Sequence, residues 1–193
     1  MTKRPAQGLL ELIIAIGVIL TALFGVSTLI VTTITAGQVS QTRVEAANFA
    51  REGIEIVRAM RDNTWLYQAS NQKPYKAWYV DINNGNQIAQ YQASSNSWTL
   101  GPCNAACQTG VDSQIMKNTD NASYFTQKCS GKCTPTKYRR LIATQLSNDT
   151  FFGQDDSQYV LVTSDVCWDQ AANCFKGASA KEFLATTRLY DWK

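Results

Sequence analysis

From Leu12 to Thr42 the chain carries no charged residue, and few folds accommodate such a run in a protein of 193 residues. A bilayer core about 30 Å thick is crossed by about 20 apolar residues in a helix rising about 1.5 Å per residue. Leu12 to Ile34 supply that length even with their threonines and serine, whose hydroxyls can bond back to helix carbonyls. Lys3 and Arg4 precede the span. Positive charge of this kind holds its end of a membrane helix in the cytoplasm, so the remainder is expected on the far side. One carboxylate, Glu11, sits at the entry to the apolar run. An ionised carboxylate inside a bilayer costs at least about 2.5 kcal/mol, so Glu11 needs either the interface or a cationic partner.

A secretory signal peptide would show basic residues, a short apolar core and a small-residue cleavage site. Here the apolar run is longer and passes into an amphipathic stretch. Lys3-Arg4, the small Ala6, then Gln7-Gly8-Leu9-Leu10-Glu11 and an apolar helix resemble the class III signal of type IV pilins and pseudopilins. The resemblance implies that a prepilin peptidase cuts after a small residue, with a glutamate shortly beyond the new terminus. That spacing puts the cut between Ala6 and Gln7, with Ala6 standing where the family usually has glycine; Gly8 offers a second possible site. It further implies that the methylated amine of Gln7 pairs with Glu11 of a neighbouring copy. Opposite charges in a low-dielectric core offset part of each other's desolvation, and this pairing would set the register between copies.

Between Gln38 and Arg61 no proline intervenes, and Val39, Val44, Ala47, Ile54, Val57 and Met60 recur at helical spacing, with Arg51 and Glu55 placed for an i,i+4 pair. An amphipathic helix is expected here, continuing the membrane helix to give an element roughly 80 Å long. Gly17, Gly25, Gly37 and Gly53 each weaken it by up to about 1 kcal/mol relative to alanine, so the role expected of them is either local unwinding during packing, most of all over Thr32 to Gly37, or close helix packing. Ala50 to Arg58 with Arg61-Asp62-Asn63-Thr64-Trp65, Tyr138-Arg139-Arg140-Leu141-Ile142, and Phe183 to Trp192 are also similar to segments of pseudopilin-like proteins.

Beyond Trp65 the residues favour strands and turns. Ala77 to Ile82, a turn at Asn83-Asn84-Gly85-Asn86 and Gln87 to Tyr91 read as a β-hairpin, because Asn-Gly accepts the positive φ of a tight turn. Further strands are expected at Tyr138 to Gln145, Gln158 to Trp168 and Lys181 to Tyr190. One long helix followed by several short strands implies an α+β subunit with an antiparallel sheet. The expected organisation is a leader over 1–6, a membrane and filament-core helix over 7–37, its amphipathic continuation over 38–62 and an extracellular β-rich head over 63–193.

The head holds all six cysteines, Cys103, Cys107, Cys129, Cys133, Cys167 and Cys174. The two Cys-x3-Cys pairs are spaced as four thiolates of a zinc site would be. An exported location, the third pair and the lack of histidine favour three disulfides instead. Cys167 with Cys174 is the one pairing expected, closing a loop between strands. Tyr75, Trp78, Tyr79, Trp98, Tyr138, Arg139 and Arg140 can be gathered into a basic aromatic patch, but alternation along a sheet explains them more simply. Two matches to the N-glycosylation sequon, at Asn121 and Asn148, carry no assigned role.

The net charge of +3 is too small to point to a nucleic-acid partner. With no histidine in the chain, no Ser-His-Asp, Cys-His or histidine-based metal constellation can be built, and no paired carboxylates stand out. No catalysis and no cofactor are expected. The resemblance implies a major or minor subunit of a type IV pilus or a type II secretion-like filament. Its expected partners are the prepilin peptidase, other copies or related pilins, the inner membrane and the inner-membrane assembly platform. The precursor is then expected in the inner membrane and the assembled form at the cell surface. The alternative is a single-span anchored protein whose head binds a sugar, DNA or a surface.

Overall fold

The computed structural model describes residues 5–71, 79, 82, 84–120, 124–129, 131–149, 157–169, 174–175 and 181–190. Helix α1 (Pro5–Asn71, 67 residues) is continuous through all its glycines and runs past the end expected near Asp62. No proline lies between Pro5 and Pro74, and Pro5 stands first in the helix, where its missing N–H breaks no helical bond. Two units divide the chain at Arg43/Val44, within this helix.

In the first unit the hydroxyls bond back along the helix. Thr21 donates to the Val18 carbonyl at 2.9 Å, Ser27 to Leu23 at 2.8 Å and Thr33 to Leu29 at 2.8 Å. Polar side chains in an apolar helix are thereby satisfied without outside partners.

In the second unit the rest of α1 lies against a seven-stranded antiparallel sheet. Its strands are β1 (Gly85–Gln92), β2 (Ser97–Pro102), β3 (Gln114–Asn118), β4 (Phe125–Thr126), β5 (Cys133–Asp149), β6 (Ser157–Cys167) and β7 (Glu182–Tyr190), with a short helix α2 (Ala105–Thr109) after β2. The α+β class and the strands expected over 138–145, 158–168 and 181–190 are present. β5 is the spine. One side pairs with β6 along its length from Arg139 to Asp149. The other side pairs first with β3 and then with β1, as at Gln87↔Ile142. Where the partner changes, Gln127 bridges the gap, accepting from the Ala89 N–H at 2.9 Å and donating to the carbonyls of Ser113 and Arg140. A buried backbone group without a partner would be costly at such a fork, and this amide supplies one for each.

The expected hairpin is not formed as read. Gly85 does take a positive φ of 113°, but Gly85 and Asn86 already belong to β1, and β1 pairs with β2 across a turn at residues 93–96. Asn84 accepts instead from the Leu146 N–H at 2.8 Å, pinning the start of β1 to β5. Of the proposed first strand, Tyr79 and Ile82 lie in a turn closed by a 2.9 Å bond between them, and Ala77, Trp78, Val80, Asp81 and Asn83 lie outside the described residues.

Strand periodicity explains the layers. Tyr138, Arg140 and Ile142 of β5, Val160, Val162, Ser164 and Val166 of β6 and Leu189 of β7 are buried on the face that meets α1. Ile54, Ile56 and Val57 complete one cluster with Ile142, Val160, Val162 and Leu189, while Ala46 and Ala50 complete a second with Ile115, Tyr138 and Val166. The buried stripe of α1 therefore starts at Ala46, and Val39 and Val44, expected in it, are exposed. On the opposite face Ile88, Leu141, Cys103 and Cys107 form a smaller cluster.

Candidate functional site

The feature that dominates the first unit is exposed apolar surface. Leu9, Ile13, Leu23, Phe24 and Leu29 are all exposed, Phe24 at 70%. Single exposed apolar residues are ordinary, but a contiguous helical surface of them marks a membrane or protein contact. The span from Gly8 to Leu66 includes a segment long and apolar enough to cross a membrane. Glu11 lies on this surface, exposed, with no ion pair among the described residues of the single chain. Ala6 and Gln7 fall within the helical backbone, while Lys3 and Arg4 lie outside the described residues.

The cysteines are paired locally: Cys103 with Cys107, Cys129 with Cys133 and Cys167 with Cys174. The thiols that a zinc site would need are consumed in the first two bonds. Cys107 belongs to α2, whose N-cap Asn104 accepts from the Cys107 N–H at 2.9 Å. Cys167–Cys174 closes the connection that leaves the end of β6.

Sequence reasoning missed the charges buried where α1 meets the sheet. Arg140 is fully buried on β5, 3.4 Å from the Glu52 carboxylate. It also donates to the Phe49 carbonyl at 3.3 Å and to Gln127 at 3.3 Å. Burial draws the arginine below its ordinary value, while Glu52 pulls the other way. Burial raises the Glu52 carboxyl more than the nearby guanidinium lowers it. Of the suggested basic aromatic patch, Tyr138 and Arg140 are buried and Trp98 packs against the core. Arg139 points the other way along the strand and donates to the Gly110 carbonyl. These residues alternate in a sheet, and Tyr75 and Trp78 lie outside the described residues.

The expected Arg51–Glu55 pair is replaced by Glu55 bonding Arg58 at 2.5 Å. A carboxyl pair that the sequence concealed also emerges. Asp165 lies opposite Leu184 and Glu182 opposite Cys167, which sets the two acids diagonally on the face of the sheet away from α1. Asp165 is pushed up to about 8, by burial first and then by its hydrogen bond and charge interaction with Glu182. The register of β6 and β7 makes this pair, so linear spacing held no signal for it.

Comparison with family models, with curated proteins and with solved structures gives no match. The residues themselves therefore carry the functional argument.

Proposed function

We propose that the chain is a pilin-like structural subunit, held in a membrane by the apolar part of α1 and assembled through that helix into an extracellular filament. The observation that carries this reading is the uninterrupted exposed apolar surface of the first unit with a single carboxylate, Glu11, set in it. A membrane satisfies the apolar residues and leaves the carboxylate expensive. A bundle of identical helices satisfies both, provided a cation meets Glu11. Cleavage between Ala6 and Gln7 supplies one, because it creates an amine at Gln7. In the filament this amine pairs with Glu11 of the adjacent copy, and methylation keeps it cationic.

The remaining assignments rest on the sequence reading. Lys3 and Arg4 hold the leader in the cytoplasm, where a prepilin peptidase removes it. The head, its loops closed by disulfides, lies on the oxidising side. The absence of histidine from the sequence fits a structural rather than catalytic role.

The test is mass spectrometry of the N-terminus from cells, together with filament preparations from a Glu11→Ala variant. Processed protein beginning at Gln7 is expected, and the variant should enter the membrane but not the filaments. A working protein that keeps Met1 would make it an uncleaved anchored binding protein instead. Incorporation of Glu11→Ala as efficient as that of the parent would remove the ion-pair mechanism.

A further inference from the structure

A groove of about 610 Å³ opens on the second unit beside the buried ion pair, between α1 and the end of the sheet where β4 and β5 lie. Glu45, Asn48 with its neighbour Phe49, and Glu52 follow one another at three- or four-residue steps, so one stripe of α1 forms one wall. Phe125 and Tyr138 form the other. The rings are already in edge and tilted contact, Phe49 lying 5.0 Å from Phe125 and 5.2 Å from Tyr138 between centroids. The volume and aromatic lining are those of an open groove able to seat one side chain.

The polar atoms around it differ in what they already do. Glu45 accepts a 2.5 Å hydrogen bond from the Tyr138 hydroxyl. Lys137, on the rim, places its ammonium 5.2 Å from the Tyr138 ring centre. Glu52 has one oxygen 3.4 Å from Arg140, and its side chain remains one-third exposed towards the groove it lines. Its carboxyl is raised because burial outweighs the help that Arg140 gives. A further cation beside it would make up that deficit. A flat cation is also what the phenylalanine rings favour, since their faces carry the negative part of the quadrupole.

We propose that this groove receives an arginine side chain of a partner polypeptide, its guanidinium against the Glu52 carboxylate and its alkyl stem along the apolar lining that Phe49 and Phe125 together present to the groove. Arginine fits better than lysine: its planar, weakly hydrated head both stacks on rings and forks onto a carboxylate. The proposal does not depend on filament assembly, because the groove lies wholly within the second unit.

The test uses the full-length chain in detergent micelles, with ring-labelled phenylalanine observed by NMR. The probes are acetyl-Gly-Arg-Gly-amide and the same peptide with citrulline, which keeps the shape and removes the charge. Saturable shifts at Phe49 and Phe125 with the arginine peptide are expected, with at least about tenfold weaker binding of the citrulline peptide, since a charge-assisted hydrogen bond contributes about 1.5–3 kcal/mol. Glu52→Gln should weaken arginine binding similarly. Because that variant disturbs Arg140, Asn48→Trp serves as the independent arm: Asn48 is an exposed rim residue, and an indole there should close the groove while leaving the fold intact. Equal binding of both peptides, no binding of either, or undiminished binding to Asn48→Trp would each overturn the proposal.

Discussion

Gly53 of α1 lies directly over Ser164 of β6: a methyl group added to the glycine would stand 2.4 Å from the serine hydroxyl oxygen and 3.2 Å from Cδ of Arg140. The helix can approach the sheet this closely because Gly53 has no side chain, and the approach brings Glu52 within reach of Arg140. Gly8, Gly17, Gly25 and Gly37 meet no such neighbour. Of the two roles weighed for these glycines, close packing applies to Gly53, against the sheet rather than another helix.

Gly53→Ala should therefore lower the stability of the head. Alanine gains about 1 kcal/mol of helix propensity, but forcing a methyl into a packed interface costs about 1–3 kcal/mol. Thermal unfolding of the full chain in micelles should show a net loss. Adding Ser164→Ala should recover part of it, since the serine hydroxyl oxygen is buried without a hydrogen-bond partner among the described residues. No recovery would mean that the contact is not the cause.

The Glu52–Arg140 pair makes a sharper prediction. Removing Glu52 leaves the fully buried Arg140 guanidinium uncompensated, a loss of at most about 3–5 kcal/mol, whereas replacing both by uncharged groups is far milder. Glu52→Gln alone should be strongly destabilising, and Glu52→Gln with Arg140→Met should be closer to the parent. Denaturant midpoints of the two variants and the parent decide it.

The Asp165–Glu182 pair links stability to pH. In the folded protein Asp165 is pushed up to about 8, from an ordinary 3.8. Its folded form thus holds a proton that the unfolded chain releases, so this contribution is complete below about pH 4 and lost as pH rises towards about 8. The nearby cations are already engaged, Arg139 with Gly110 and Lys181 with Asp169 at 3.5 Å. Stability against denaturant should decline across this window, and Asp165→Asn should flatten the profile. An unchanged slope in the variant would assign the effect elsewhere.

Loss of the Cys167–Cys174 bond, by changing both to alanine, should cost about 2.5 kcal/mol on the loop-entropy relation. The Trp168 amide, which donates to the Lys181 carbonyl at 3.0 Å, should exchange its hydrogen faster than in the parent. Amides at Leu161 and Val162, in the middle of the same strand and paired on both sides, open only when the whole head unfolds and should lose protection by the same amount, about 2.5 kcal/mol.

Much of the architecture could be read along the chain because its signals are local. The uncharged run after Glu11, the long stretch without proline and the period-two alternation of Tyr138–Gln145 and Gln158–Trp168 depend only on neighbouring residues. The hairpin reading failed for a related reason. Asn84-Gly85 carries a turn preference that the structure honours in its backbone angle, yet β5 competes for the same segment and draws Gly85 into the sheet.

By itself, then, the sequence determined that one end of this protein is an apolar helix bearing a lone carboxylate and that the other is a small sheet with cysteine-closed loops. Tertiary structure alone decided which charges are buried, because Glu52 meets Arg140 and Asp165 meets Glu182, and how closely the helix seats, because Gly53 meets Ser164, all between separate elements of the chain. Burial and pairing depend on the register of strands and the seat of a helix on them. A reading by residue type sees an arginine or an aspartate at any of these positions, and only the packing removes the water that would otherwise make them ordinary surface groups.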